Sequence, residues 1–212
     1  MNKDDLEKKG YLDLGNFHPG LSTIDVSRIV ADNLKIRIDG DVESLTVNAV
    51  GTKPKNTYGG NYGRGALPLH TDLAHWYVPP RYFLLRCVVA DPLVFTLLLH
   101  SREVLKTLPT ALVIRALFRP RRRLDGKMYF LRLHADGIFR WDQLFLTPEN
   151  IEAEQVRDTL TNRLHIFAPE RIALDAPGKT LLVDNWNMLH ARSSVHTLMS
   201  SRCIDRVYFS ED

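Results

Sequence analysis

The residues of this chain best suited to chemistry lie in two short segments far apart. One is His70-Thr71-Asp72, and the other is Val183-Asp184-Asn185-Trp186-Asn187-Met188-Leu189-His190. A His-x-Asp with a distant His is the ligand set of a 2-His-1-carboxylate facial triad, which holds Fe(II) on one face and leaves positions open for a co-substrate and O2. Carboxylate and imidazole suit Fe(II) or Mn(II), whereas thiolates would indicate zinc or clusters. About a dozen residues after His190 comes Arg202, and then Arg206. A planar guanidinium can hold a dicarboxylate co-substrate through two parallel charge-assisted bonds, which lysine cannot.

On a strand, alternate side chains share a face, so His70 and Asp72 can converge on one ion while Thr71 points away. Two other readings stay open. His70, Asp72 and His75 together suit zinc in a hydrolase, although that leaves Arg202 and the Asp-Asn-Trp segment without a role. A non-catalytic β-barrel binding protein could also keep these residues. His18, His100, His134, His165 and His196 lack partners at ligand spacing and read as surface or packed histidines.

The elements that must position these groups are short and mostly extended. Residues 25–34 have the pattern of an amphipathic helix, and residues 35–38 and 45–50 read as strands. Residues 51–68, rich in glycine and proline, read as an irregular loop. Residues 82–90 and 93–99 are strands by β-branched and aromatic content, separated by Asp91-Pro92. Residues 103–118 show helical spacing with an interruption at Pro109. Residues 128–133 and 138–141 flank Ala135-Asp136-Gly137, a hairpin signal. Thr147-Pro148-Glu149 supplies an N-cap, a first-turn proline and an acid for a helix reaching about residue 167. Residues 172–174, 180–183 and 203–209 are the last strands. Many short strands, few helices and no βαβ alternation predict a mainly β fold, a sandwich or jelly roll with covering helices.

The 212 residues, with no repeat or linker, read as one domain spanning 1–212. A quarter of the residues are charged, and the formal net charge is only +3, as in an ordinary soluble protein. Cys87 and Cys203 read as buried free thiols in a reducing compartment. The N-terminus carries no apolar signal region, and residues 93–99 are too short to span a bilayer. The expected location is the cytoplasm and the expected partner a small molecule, not a membrane. The run Arg119-Pro120-Arg121-Arg122-Arg123 reads as a solvated loop rather than a nucleic-acid groove, with docking of a larger substrate as its alternative.

Tyr62, Leu69-His70-Thr71-Asp72, Pro79-Pro80 and Leu84-Leu85-Arg86-Cys87 resemble the iron-binding region of the taurine dioxygenase and gamma-butyrobetaine hydroxylase superfamily. The stretch from Leu182 through Asp184-Asn185-Trp186 to Leu189-His190-Ala191-Arg192 is similar to the Asp-Asn-Trp…Leu-His-Gly-Arg stretch of gamma-butyrobetaine and trimethyllysine hydroxylases. Residues 201–209 resemble their closing strand. The resemblance runs in order from about residue 60 to 209. It implies a double-stranded β-helix that couples decarboxylation of 2-oxoglutarate to oxidation of a substrate C–H bond, with O2 consumed and succinate and CO2 released. His70, Asp72 and His190 would be the iron ligands, and Arg202 would pair with the distal carboxylate of 2-oxoglutarate. Thr96 falls where these enzymes place a Thr hydroxyl beside that carboxylate, although their Gly-Gly-x-Thr reads Leu93-Val94-Phe95-Thr96 here. Related halogenases replace the carboxylate ligand with a small residue, so Asp72 implies hydroxylation or another oxidation such as desaturation.

The same comparison bears on the substrate. Tyr62 and Tyr208 are similar in position to aromatic cage residues that hold a trimethylammonium by cation–π contact, with plain packing as the alternative. Arg206 resembles the arginine that binds the sulfonate in taurine dioxygenase. A guanidinium would repel a quaternary ammonium, so the balance points to an anionic or zwitterionic metabolite such as an amino acid. Pairing of Arg206 with Asp205, or a place outside the pocket, is the other outcome.

Overall fold

The computed structural model describes residues 1–47, 54, 57–196 and 201–211. The chain begins with α1 (Lys3–Lys9), β1 (Tyr11–Asn16), α2 (Thr23–Leu34) and the long strand β2 (Ile36–Thr46). A short helix α3 (Tyr58–Tyr62) leads to β3 (Leu67–His70), followed by β4 (Tyr82–Val89) and β5 (Phe95–His100). Then come α4 (Ser101–Leu105), α5 (Thr110–Arg115), β6 (Leu117–Pro120), β7 (Leu131–Arg132), β8 (His134–Ala135), β9 (Ile138–Phe139), β10 (Leu146–Pro148) and α6 (Ile151–Arg163). Strands β11 (Glu170–Ala173), β12 (Lys179–Asp184), β13 (Met188–Arg192) and β14 (Cys203–Glu211) complete the fold.

Two antiparallel sheets form the body, one in the order β1-β12-β4-β14-β2 and the other β11-β5-β13-β3. Side-chain alternation on the first sheet divides the core. Tyr82, Leu84, Leu182, Val207 and Phe209 point outward and pack under Leu6 of α1 and Val26, Val30 and Leu34 of α2. Phe83, Leu85, Cys87, Leu181, Val183 and Ile204 point inward and meet Leu98, Ile172 and Met188 of the second sheet. The outer face of that second sheet, through Leu69, Leu99, Leu189 and Ala191, is covered by a cluster containing Val104, Phe118, Trp141, Val156 and Leu160. This is the expected jelly roll with covering helices. No described helix is long and apolar enough to cross a membrane.

Several elements differ from the pattern-based expectation, each for a local reason. α2 starts at Thr23 because Ser22 caps it, accepting the Asp25 N–H. The helical pattern of 103–118 breaks into α4 and α5 around Pro109, and its end becomes β6. Thr147 is not a cap: Thr147 and Pro148 pair with Arg119 and Phe118, and Asn150 caps α6 by accepting the Ala153 N–H at 3.0 Å. Of the strand expected at 128–133, only Leu131–Arg132 pairs. The hairpin holds, with Asp136 and Gly137 at φ 54° and 75° joining β8 to β9. β2 takes up residues 36–38 of the strand expected at 35–38, Lys35 being the left-handed C-cap of α2, and continues to Thr46; residues 48–50 of the second candidate, and 51–53 and 55–56 of the loop, lie outside the described residues. Cys87 is buried and Cys203 half-buried, both as free thiols.

Candidate active site

Strand pairing brings the two histidines together. In the β13–β3 ladder His190 faces His70 directly, and their rings lie 4.3 Å apart between centroids. Asp72 arrives differently from the expected strand alternation. β3 ends at His70, and Asp72 sits on the turn that follows, where the Thr71 N–H donates to Trp141 O at 2.8 Å and Leu73 adopts φ 52°. A left-handed non-glycine residue beside a candidate ligand is the kind of strained backbone found at functional sites.

The turn is held by the Asp184-Asn185-Trp186-Asn187 segment, which acts as a clamp. Asn185, 1% exposed, accepts the Asp72 N–H at 2.8 Å and donates to Asp72 O at 2.9 Å and Pro80 O at 3.0 Å. Trp186 Nε1 donates to Pro79 O at 2.9 Å. Asp184 accepts the Trp186 N–H at 3.0 Å and Asn187 Nδ2 at 2.9 Å, which closes the segment on itself. The Asp72 carboxylate is divided between two tasks. Oδ1 lies 3.5 Å from His70 Nε2 and 3.4 Å from His190 Nε2. Oδ2 accepts Arg206 Nη1 at 2.7 Å and the Tyr208 hydroxyl at 2.9 Å. One oxygen thus faces both imidazoles while the other is held back.

The charge state suits a metal. Burial would raise the Asp72 pKa, but the Arg206 charge and the contacts of both imidazoles hold it well below the carboxylate range. Burial, with His70 adding to it, lowers His190 to about 4, so the ring is neutral and its nitrogen free to ligate. His70 is buried too, but its bond to Asp72 and the Asp72 charge outweigh that and raise its pKa. Its Nδ1 lies 2.8 Å from Pro68 O, a carbonyl that can only accept, so Nδ1–H is the donor and Nε2 is the nitrogen turned toward the site. The three ligand atoms lie within 4.8 Å of one another, and all three residues are buried. Two neutral-capable imidazoles and one carboxylate on a common point fit Fe(II).

The site lies at the inner end of a cavity of about 890 Å³. Thr96 and Arg202 line it, both buried, and Arg206 and Tyr208 line it from β14. Arg206 does not pair with Asp205, whose carboxylate faces outward to Thr23 and Ser44. Its guanidinium instead bridges Asp72 and Glu43, at 2.7 Å each. Tyr62 is outside the lining. It stacks on Tyr58 at 5.7 Å and accepts a bond from Gln143 Nε2 at 2.9 Å, a packing role. Tyr58, one helical turn earlier, forms the wall by stacking on His70 at 4.0 Å. His75 lines the cavity against Phe145 but is not among the clustered ligand atoms, which removes the geometric basis of the His70/Asp72/His75 zinc reading.

Three further features were not singled out from sequence as parts of this site. Asp142, 2% exposed, lines the cavity with Oδ1 taken by the Leu144 and Phe145 N–H groups, and burial raises its pKa. Arg192 lines it with Nη2 on the carbonyls of Gly63 and Gly65, both at 2.6 Å. The basic run also reaches it: Arg121, Arg122 and Arg123 form part of the wall. Arg86, in the Leu-Leu-Arg-Cys motif, faces away and pins residues 17–21 through the carbonyls of Phe17, His18 and Leu21.

No protein-family model matches the sequence, and comparison with curated proteins finds no match. Solved structures do match. An asparagine oxygenase in complex with Fe(II), 3-hydroxyasparagine and succinate superposes with TM-score 0.60 at 22% identity, over 79% of this chain and 56% of that one. The non-heme iron oxygenase OrfP, in complex with Fe, succinate and (3S)-hydroxy-L-Arg, gives 0.67 at 14% identity over 89% and 67%. PvcB from Pseudomonas aeruginosa gives 0.65 at 15% identity over 99% and 78%. The present chain therefore spans just over half the length of the asparagine oxygenase. At such identities the likeness is one of architecture, and by that measure this chain has the fold of the non-heme iron oxygenases.

Proposed function

We propose that this protein is a Fe(II)- and 2-oxoglutarate-dependent oxygenase that hydroxylates, or otherwise oxidises a C–H bond of, a small polar metabolite of the amino-acid class. The observation that carries this reading is the single Asp72 oxygen within 3.5 Å of both His70 Nε2 and His190 Nε2, at the buried end of a cavity also lined by Arg202 and Thr96. In it His70, Asp72 and His190 hold the metal. Bound Fe(II) and 2-oxoglutarate would supply the oxidation, with O2 consumed and succinate and CO2 released. The Arg202 guanidinium takes the distal carboxylate in two parallel bonds, and the Thr96 hydroxyl adds a third donor. Tyr58 against His70 and Phe83 against His190, at 4.0 and 4.6 Å between ring centroids, keep water from the ligand face.

The amino-acid class rests on two supports. The asparagine oxygenase and OrfP are solved with hydroxylated amino acids. In this chain Asp142 is the only acidic residue besides Asp72 in the described lining, which suits a substrate ammonium. The test is anaerobic addition of Fe(II) and 2-oxoglutarate, which should produce a metal-to-ligand absorption band that His70→Ala abolishes. With air and a panel of amino acids, succinate release should require both Fe(II) and O2. Absence of the band at saturating 2-oxoglutarate would refute the assignment.

A further inference from the structure

The charges along the cavity are lopsided. Against Asp72 and Asp142, the described lining carries Arg121, Arg122, Arg123, Arg192, Arg202 and Arg206. Three of the six are accounted for: Arg206 is bound to Asp72 and Glu43, Arg192 is bound to backbone carbonyls, and Arg202 is the proposed 2-oxoglutarate anchor. Arg119, at the root of the same run, is neutralised outside the cavity by Glu149 at 2.7 Å. Arg121, Arg122 and Arg123 have no ion pair among the described residues and all three are exposed; of these Arg121, like Arg192, gives one nitrogen to a backbone carbonyl, that of Leu144. Consecutive like charges repel, so three of them gathered along one cavity wall call for an anion.

The arm that carries them is anchored at both ends. At its base the Arg121 N–H donates to Phe145 O at 2.9 Å, and Arg121 Nη1 donates to Leu144 O at 3.0 Å. At its tip Leu124 and Lys127 bond each other across a turn whose Asp125 and Gly126 have φ 48° and 75°. The base is also linked to the metal ligands through rings. Phe145 meets Tyr58 at 5.9 Å, and Tyr58 stacks on His70 at 4.0 Å. The cavity, about 890 Å³, lies near the top of the roughly 300–1,000 Å³ typical of small-molecule sites, more than a free amino acid and 2-oxoglutarate need.

We propose that Arg121, Arg122 and Arg123 form an anion subsite at the cavity mouth that holds the phosphate group of a substrate whose oxidisable carbon lies at the His70/Asp72/His190 end. This deepens the oxygenase reading and rests on it. A lone carboxylate is satisfied by one guanidinium fork, whereas three forks match the three oxygens and double charge of a phosphate ester. The substrate is then an elongated amino-acid-like molecule with a phosphorylated tail.

The test uses the protein loaded anaerobically with Fe(II) and 2-oxoglutarate, so that the Arg202 end is filled, and titrates pyrophosphate by calorimetry at fixed ionic strength. Pyrophosphate should bind with 2-oxoglutarate in place, and Arg122→Gln/Arg123→Gln should weaken it at least tenfold while changing 2-oxoglutarate affinity less than twofold. The proposal is overturned if pyrophosphate does not bind, if it competes with 2-oxoglutarate, or if the double variant binds it equally. Citrate binding as tightly as pyrophosphate would overturn the phosphate assignment. So would a single-stranded oligonucleotide that binds more tightly and loses affinity in the same variant. A wild-type protein that fails to bind 2-oxoglutarate refutes the oxygenase reading separately, since the pyrophosphate titration can be read without it.

Discussion

The clamp around Asp72 makes a quantitative prediction for Asn185→Ala. The side chain satisfies three backbone groups, the N–H and carbonyl of Asp72 and the carbonyl of Pro80, in a place only 1% exposed. Truncation leaves all three without their partner. Each buried orphan costs about 1–3 kcal/mol. The three are neighbours whose costs do not add fully, and a water can enter the space left, so the expected loss is about 3–5 kcal/mol, at the upper end for a point substitution. At about 2–4 °C per kcal/mol for a chain of this size, the melting temperature should fall by roughly 6–20 °C.

Stability alone would not separate a clamp from ordinary packing, so metal affinity is the second readout. A ligand released from its outer support typically costs about 10–100-fold in metal binding. Urea unfolding with an unchanged slope gives the first quantity, and anaerobic Fe(II) titration of the folded variant gives the second. Asn187→Ala is the control: it removes one bond, to Asp184 Oδ2 at 2.9 Å, and touches no ligand. It should cost about 1 kcal/mol and leave Fe(II) binding unchanged. If Asn185→Ala lies within 1 kcal/mol of wild type, or loses stability with full Fe(II) affinity, the segment does not position Asp72 and the reasoning fails.

Three other outcomes follow from the site and its surroundings. Arg206→Met removes the cation that holds Asp72 Oδ2 at 2.7 Å, so Fe(II) affinity should drop about 10–100-fold; a rise in substrate KM with unchanged metal binding would instead make Arg206 a substrate residue. Arg202→Lys exchanges a fork for a point charge and should raise the KM for 2-oxoglutarate about 10–100-fold, the equivalent of one charge-assisted bond of about 1.5–3 kcal/mol; an unchanged KM would exclude Arg202 as the anchor. His100 accepts the Arg102 N–H through Nδ1, and burial lowers its pKa from 6.5 to about 4. The folded state therefore disfavours its protonation: this contribution is fully present above pH 6.5 and is lost as pH falls from 6.5 to about 4. With the ring only partly buried, screening reduces the effect to about 1–2 kcal/mol. His100→Asn, which keeps an acceptor at the cap, should therefore lose less melting temperature than wild type between pH 7.5 and 4.5, and parallel curves would rule this out.

The residues of the candidate site that the structure brings together could be picked out by residue type. His70, Asp72, His190, Arg202 and Thr96 are few enough, and unusual enough in combination, that the fold had only to bring them together, and strand pairing does so for the histidines. What could not be read depends on contacts across the chain. The place of Asp72 on a turn is fixed by Asn185, 113 residues away, which no local pattern encodes. Tyr58 and Tyr62 are alike in sequence and stack on each other, and only the direction of α3 decides which ring meets His70. The arginine run is the exposed loop that its composition suggests, but nothing in it signals that the loop also lines the cavity.

Arg206 shows how closely the chemistry depends on strand register. Ile204, Arg206 and Tyr208 share one face of β14 by alternation, which the sequence displays, but whether that face is the inner one depends on pairing. β14 sets these residues opposite Cys87, Leu85 and Phe83, all inward-facing on β4. A slip of one residue would turn Asp205 and Val207 into the cavity and send Arg206 and Tyr208 out. Asp72 would then exchange a guanidinium at 2.7 Å for a second carboxylate. Two like charges so close raise each other's pKa, and a protonated Asp72 could no longer ligate a metal as an anion. What opposes the slip is the other face of the strand, where Val207 and Phe209, both fully buried, are packed against Val26 and Val30 of α2 and Leu6 of α1. The apolar packing beneath the helices thus sets the charge at the proposed metal site on the opposite side of the sheet.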